Sequence, residues 1–153
     1  MQTEKQLQQI LAANDQCVDA WNLLSAIQAK NGKIDHCIAS LSKVILLDPT
    51  SSLARSNLAY CYILKKQYAL GIKWAREALK IKTDDVVAWA NLSIAQFHLE
   101  MVDEASVSTQ KGLMLDPNHG ELLYQAGHIM AKKDKYRFVV GPEQDAFQLI
   151  SRR

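Results

Sequence analysis

The sequence predicts an all-α fold, a solenoid of antiparallel helix pairs, and three observations carry that prediction. Trp21, Arg55, Trp89 and Leu123 recur at a constant interval of 34 residues, as do Leu24, Leu58, Leu92 and Ala126. Within "VVAWANLSIAQFHL" (86–99), Trp89, Leu92, Ser93 and Gln96 fall at i, i+3, i+4 and i+7, one stripe of a helix. "LLDP" at 46–49 returns as "MLDP" at 114–117, two intervals later. Each proline there ends a helix, because it donates no amide hydrogen and disfavours helical backbone in the residue before it.

The elements follow in order. "TEKQ" at 3–6 has capping-box form, with Thr3 as N-cap and Gln6 three residues on, so a helix begins there. Residues 7–21 match the second half of a repeat and its link to the next, which makes 1–17 an N-terminal half-repeat or cap helix. Repeats then run at about 18–51, 52–85 and 86–119, with a partial one at 120–136. In the third, helix A is followed by a turn around "EMVD" and by helix B from about 103 to 115. Asp103 and Glu104 sit where negative charge favours the start of helix B, and Asp84-Asp85 is an N-cap signal for the third helix A.

Small residues recur where helix B should press on helix A: Cys37, Gly71 and Ala105 in one register, Val44, Ala78 and Gly112 in another. A large side chain there would force the pair apart. In the fourth repeat, helix A should span about 120–133, with "KKDKY" as the turn. Gly141-Pro142 would break the expected second helix, and Pro142 suits the first position of a short one at about 142–151. Residues 137–153 are therefore expected as an irregular tail with a short helix, serving as a solubilising cap on the terminal repeat, as a segment folded into the groove, or as the stump of a further domain.

Composition narrows the function. The 153 residues are 48% hydrophobic and 22% charged, with a formal net charge of +2, too small to suggest nucleic acid or an anionic membrane as partner. No stretch has the apolar length to cross a bilayer, and the first ten residues lack the core of a signal peptide. A soluble, cytoplasmic protein is expected. Three cysteines, Cys17, Cys37 and Cys61, are an odd number without paired spacing, which argues for reduced thiols. Cys37 and Cys61 occupy positions held elsewhere by small or apolar residues and are expected in the core.

This period, with a large residue, then Leu and a small residue, then a second helix ending in Asp-Pro, resembles the tetratricopeptide repeat, over residues 7 to 136. The resemblance implies a right-handed superhelix whose A helices line a concave groove that holds extended or helical peptides. In "VVAWANLSIAQFHL" a second stripe of Ala90, Ile94, Phe97 and His98 faces that way. Carried across in register, the groove takes Asn22, Ala26, Ala29 and Lys30 from the first repeat. The second supplies Ser56, Tyr60, Ile63 and Leu64, and the fourth Tyr124, His128, Ala131 and Lys132. Its middle would be apolar and aromatic through Tyr60, Ile63, Leu64, Ile94 and Phe97, with Lys30 and Lys132 as electrostatic selectors and His98 and His128 between them. Large exposed apolar patches mark interaction sites; the alternative is that these residues pack on adjacent A helices or under the tail.

Two further family devices apply unevenly. The two-carboxylate clamp that grips the acidic C-terminus of heat-shock chaperones is absent, since Ala26, Ala90 and Ile94 stand where it needs polar or cationic groups. An asparagine ladder bonding the peptide backbone matches Asn57 and Asn91, with Gln125 as a weaker rung, while Leu23 breaks it; bonds within the array would explain the same amides.

No catalytic residue, metal site or cofactor is expected. His36, His98, His119 and His128 lack metal-ligand spacing, and His36-Cys37 point about 100° apart on one helix. The expected function is a non-catalytic scaffold or adaptor for an apolar or amphipathic peptide segment of another protein. Alternatives are a small secretion-type chaperone, a self-assembling segment joined through the groove or the open end of the array, and the substrate-presenting arm of a longer protein.

Overall fold

The computed structural model describes residues 3–140, with side chains over 3–135, so the helix expected at 142–151 lies outside the described residues. Over that span the chain is an α-solenoid. Helix α1 (Glu4–Ala13) leads into three antiparallel pairs: α2 (Val18–Lys30) with α3 (Ile34–Leu47), α4 (Ser52–Leu64) with α5 (Tyr68–Ile81), and α6 (Val86–His98) with α7 (Val102–Leu115). Helix α8 (Gly120–Val140) follows.

Local chemistry sets the helix boundaries. Thr3 caps α1 through the reciprocal box, its amide donating to Gln6 Oε1 at 2.8 Å and its Oγ1 accepting from the Gln6 amide at 3.3 Å. Ser51 Oγ and Asp85 Oδ1 accept from the third amides of α4 and α6 at 3.1 and 3.0 Å. After α3, Asp48 Oδ1 accepts from the amide and hydroxyl of Thr50, fixing the Asp-Pro turn. Within each pair the turn reverses through one left-handed residue in constant register: Gly32 (φ 73°), Lys66 (φ 58°) and Glu100 (φ 62°). The amide of that residue and the next one reach back to the end of helix A, as in Lys66 N–H to Ile63 O at 2.8 Å and Gln67 N–H to Tyr62 O at 2.9 Å.

The fourth repeat departs from expectation at this register. No turn forms at 132–136; α8 runs on to Val140. A left-handed residue without glycine costs roughly 1–2 kcal/mol. At Lys66 and Glu100 the packing of α5 and α7 offsets that cost, and among the described residues no helix folds back on α8 to do the same.

The core of the described residues is a chain of three clusters that follow one another along the stack, as expected where each unit touches only its neighbours. Leu7 and Leu11 meet Ala20 and Leu24; Leu41 and Val44 meet Leu58 and Cys61; Ala75 and Ala78 meet Ala88 and Leu92. Cys37, Gly71 and Ala105 are all buried at the close approach of helices A and B. Cys61 donates its S–H to Cys37 Sγ at 3.3 Å, so the two buried thiols are in contact without a disulfide. His36, adjacent in sequence, is exposed and points elsewhere. Trp21 and Trp89 each reach back six residues, their indole N–H groups donating to Asp15 O at 2.8 Å and Thr83 O at 2.9 Å.

Candidate functional site

The A helices α2, α4, α6 and α8 share one face, and their 34-residue register runs two rows of side chains along it. One row is Ala26, Tyr60, Ile94 and His128; the other is Lys30, Leu64, His98 and Lys132. Ala26, Lys30, Leu64, His98 and His128 are exposed, as are Tyr60 (42%) and Tyr124 (69%). Ile94, Phe97, Asn57 and Lys132 are half-buried.

At the α6–α8 end the rings form a continuous strip. Tyr68 stacks on His98 with centroids 4.5 Å apart and planes 6° from parallel. Phe97 sets its edge against His98 at 6.2 Å and against His128 at 6.1 Å, and Tyr124 covers His128 at 4.4 Å. Lys132 Nζ lies over the Phe97 ring, 4.9 Å from its centroid, while pairing with Glu100. The ion pair draws Lys132 away from the free selector role expected of it, whereas Lys30 stays exposed. Across the turns at the other end, Lys65 bonds Asp35 at 2.5 Å and holds that carboxyl below the usual carboxylate range.

Five residues expected in the groove or its ladder are not on this surface. Ile63 is 9% exposed and belongs to the core cluster of α4, α5 and α6. Gly71 opposite has no side chain, so Ile63 sinks against α5; a Cβ on Gly71 would stand 2.9 Å from its Cγ1. Asn91 is 2% exposed and its Nδ2 donates to Ser56 O at 2.8 Å, tying α6 to α4. Its amide serves the array, not a ligand backbone. Ser56 and Ala90 are buried as well, and Ser56 Oγ donates to Asp85 Oδ2 at 2.7 Å. Gln125, the weaker rung, is also buried, and its Nε2 meets no acceptor among the described residues. Of the ladder, Asn57 alone remains at the surface.

Tyr68 was invisible to the sequence pattern. It opens α5, a helix B, where Ile34 and Val102 hold the same register, and nothing in the spacing assigns it to the A-helix face. Among the described residues no group of three or more His, Cys, Asp or Glu side chains could hold a metal ion. None of the described helices is long and apolar enough to cross a membrane.

Comparison with known proteins agrees with this architecture. Residues 18–51 and 54–85 match the tetratricopeptide repeat family. The BBSome complex member BBS4 homolog of Drosophila melanogaster is 24% identical over 150 residues, covering 90% of this chain and 31% of that protein. The chain spans less than a third of the length of the curated relatives it matches. Among solved structures, MamA 41-end from Desulfovibrio magneticus RS-1 superposes with a TM-score of 0.78 at 17% identity, covering 98% of this chain and 85% of that one. The first tetratricopeptide domain of Spaghetti (RPAP3), solved bound to the HSP90 peptide SRMEEVD, superposes with a TM-score of 0.73 at 22% identity, covering 76% and 93%.

Proposed function

The chain belongs to the tetratricopeptide-repeat family, and we propose that it is a non-catalytic scaffold that holds an apolar or amphipathic segment of another protein along its A-helix groove. The observation that carries this reading is the strip of exposed and half-buried aliphatic and aromatic side chains: Tyr60 and Leu64, then Ile94, Phe97, His98, His128 and Tyr124. Rings so arranged on a rigid wall can bury a partner's apolar side chains at about 1.5–3 kcal/mol each before ordering costs. A peptide-bound neighbour of similar fold supports a protein or peptide partner. An acidic chaperone tail is disfavoured, because exposed Ala26 and buried Ala90 offer no clamp and Lys132 is already paired. Asn57 and Lys30 would add a backbone bond and a charge at the first half of the groove. A cytoplasmic location belongs to the same proposal, supported by an odd number of cysteines without paired spacing.

Peptide-display selection on the immobilised protein tests this. Tyr60→Glu with Phe97→Glu should lose the selected apolar or amphipathic peptides and keep the helical circular dichroism. Peptides that bind the double variant equally well would remove the groove from the function.

A second reading, self-association, has one specific observation behind it. On α8, Leu123 and Met130 are exposed, and nothing lies within 4 Å of a Cβ built on Gly127. The same registers in earlier repeats, such as Ser25, Ala59 and Ser93, are buried against a helix B. Sedimentation over a concentration series separates the readings.

A further inference from the structure

A second kind of site lies away from the groove. Between α1, α2 and α3 the surface opens into a cleft of about 580 Å³, lined by Leu11, Trp21, Leu24, Gln28, Ser40 and Lys43. Between α5, α6 and α7 a cleft of about 350 Å³ is lined by Trp89, Leu92, Gln96, Ser108 and Lys111. From Trp onward the residues correspond one to one, two repeats apart. The floor is the same in both: Ser40 Oγ donates to Gln28 Oε1 at 2.7 Å, and Ser108 Oγ donates to Gln96 Oε1 at 2.7 Å. The intervening repeat carries Tyr62 and Trp74 at the Gln and Ser positions, and both rings pack on the core.

Two features define what would enter. Gln28 is 4% and Gln96 3% exposed. The serine occupies the amide oxygen of each, and neither Nε2 has a hydrogen-bond acceptor among the described residues. Neither Nε2 is sealed from solvent, and each glutamine lines its cleft, so a ligand carbonyl can accept from it there. The rims carry both signs of charge: Lys43 pairs with Asp15 at 3.7 Å in the first, and Arg76, Lys111, Asp103 and Glu104 all line the second. Lys111 Nζ also lies over Trp89, 4.8 Å from the ring centroid. Such a rim selects against a charged guest, and the walls of Trp and Leu favour an apolar one. The fold itself fills the same position of the second repeat with aromatic rings.

We propose that these two clefts are binding sites for an uncharged aromatic side chain of a partner polypeptide. The ring lies against Trp21 or Trp89, and the partner's own peptide carbonyl accepts from Gln28 or Gln96 Nε2. The sites are separate from the A-helix groove and stand or fall without it.

The test is a nuclear magnetic resonance titration of the full chain with N-acetyl-phenylalaninamide. Expected are shifts of the Gln28 and Gln96 side-chain amides and of the Trp21 and Trp89 indole N–H signals. Gln28→Tyr with Ser40→Trp, which transplants the filling of the second repeat, should abolish the Trp21 shift and leave those of Gln96 and Trp89 intact. Should that variant fail to fold, Gln28→Met removes the donor alone and should weaken the first site several-fold while the second is unchanged. Absence of shifts at both clefts in the wild type would overturn the proposal. So would a Trp21 shift undiminished in the filled variant, or equal shifts from N-acetyl-lysinamide.

Discussion

Replacing Asp85 by alanine should remove a cap and a bridge between two repeats together. Asp85 is buried; its Oδ1 accepts from the Ala88 amide at 3.0 Å and its Oδ2 from Ser56 Oγ at 2.7 Å. Loss of an N-cap costs about 1 kcal/mol, within a range of roughly 0.5–2. The Ser56 hydroxyl, itself buried, is left without its acceptor, at about 1–3 kcal/mol. Relief from dehydrating a carboxylate offsets part of this, leaving a net loss of about 2–3 kcal/mol. For a chain of this length each kcal/mol moves the melting temperature by about 2–4 °C, so a fall of roughly 4–12 °C is expected. Thermal and urea unfolding followed by circular dichroism measure it. Because the bond joins the second repeat to the third, the urea transition should also broaden as the two halves uncouple. Ser56→Ala in the Asp85→Ala background should cost less than it does alone, with a coupling of about 1 kcal/mol. Asp84→Ala, at an exposed neighbour, is the control and should stay within about 0.5 kcal/mol of wild type. An Asp85→Ala protein as stable as the control, or strict additivity with Ser56→Ala, would refute the bridge.

A Cβ on Gly112 would meet Leu122 Cδ1 at 2.5 Å and Trp89 Cβ at 3.3 Å, with Leu122 fully buried. Gly112→Ala should therefore destabilise the chain, overpacking at about 1–3 kcal/mol outweighing about 1 kcal/mol of helix propensity. Gly127→Ala, with nothing within 4 Å, should gain up to about 1 kcal/mol, and urea midpoints of the two variants report the opposite signs. Cys61 donates to Cys37, and that bond together with burial pushes the Cys61 thiol well above its ordinary 9.0, while Cys37 is drawn below it. A raised native value means that the unfolded chain sheds that proton first, so Cys61 stabilises fully below pH 9 and loses its contribution as pH climbs beyond. Cys37 acts in the opposite sense, gaining as pH rises towards 9. The urea midpoint should thus decline from pH 9 to 10 in the wild type and flatten in Cys37→Ala with Cys61→Ala; an unchanged decline would place its cause elsewhere. If α8 is an open docking face, Leu123→Glu with Met130→Glu should remove any concentration-dependent rise in sedimentation coefficient.

Everything governed by period and by neighbours close along the chain was legible in the order of the residues. The 34-residue interval, the Thr3 box, the Asp85 cap and the small residues at Cys37, Gly71 and Ala105 are local or repetitive signals, and the helices follow them. The tertiary structure decided which side of a boundary each groove residue takes. Ile63 and Phe97 share one register, yet Ile63 is buried and Phe97 half-exposed, because Gly71 leaves a hollow that the Cβ of Ala105 narrows in the next repeat. Asn91 turned inward because a carbonyl of the neighbouring repeat, 35 residues back, lies within reach of its amide. A helical register fixes the angle at which a side chain leaves its helix; its depth depends on the volume of whatever packs opposite, and that atom belongs to another helix.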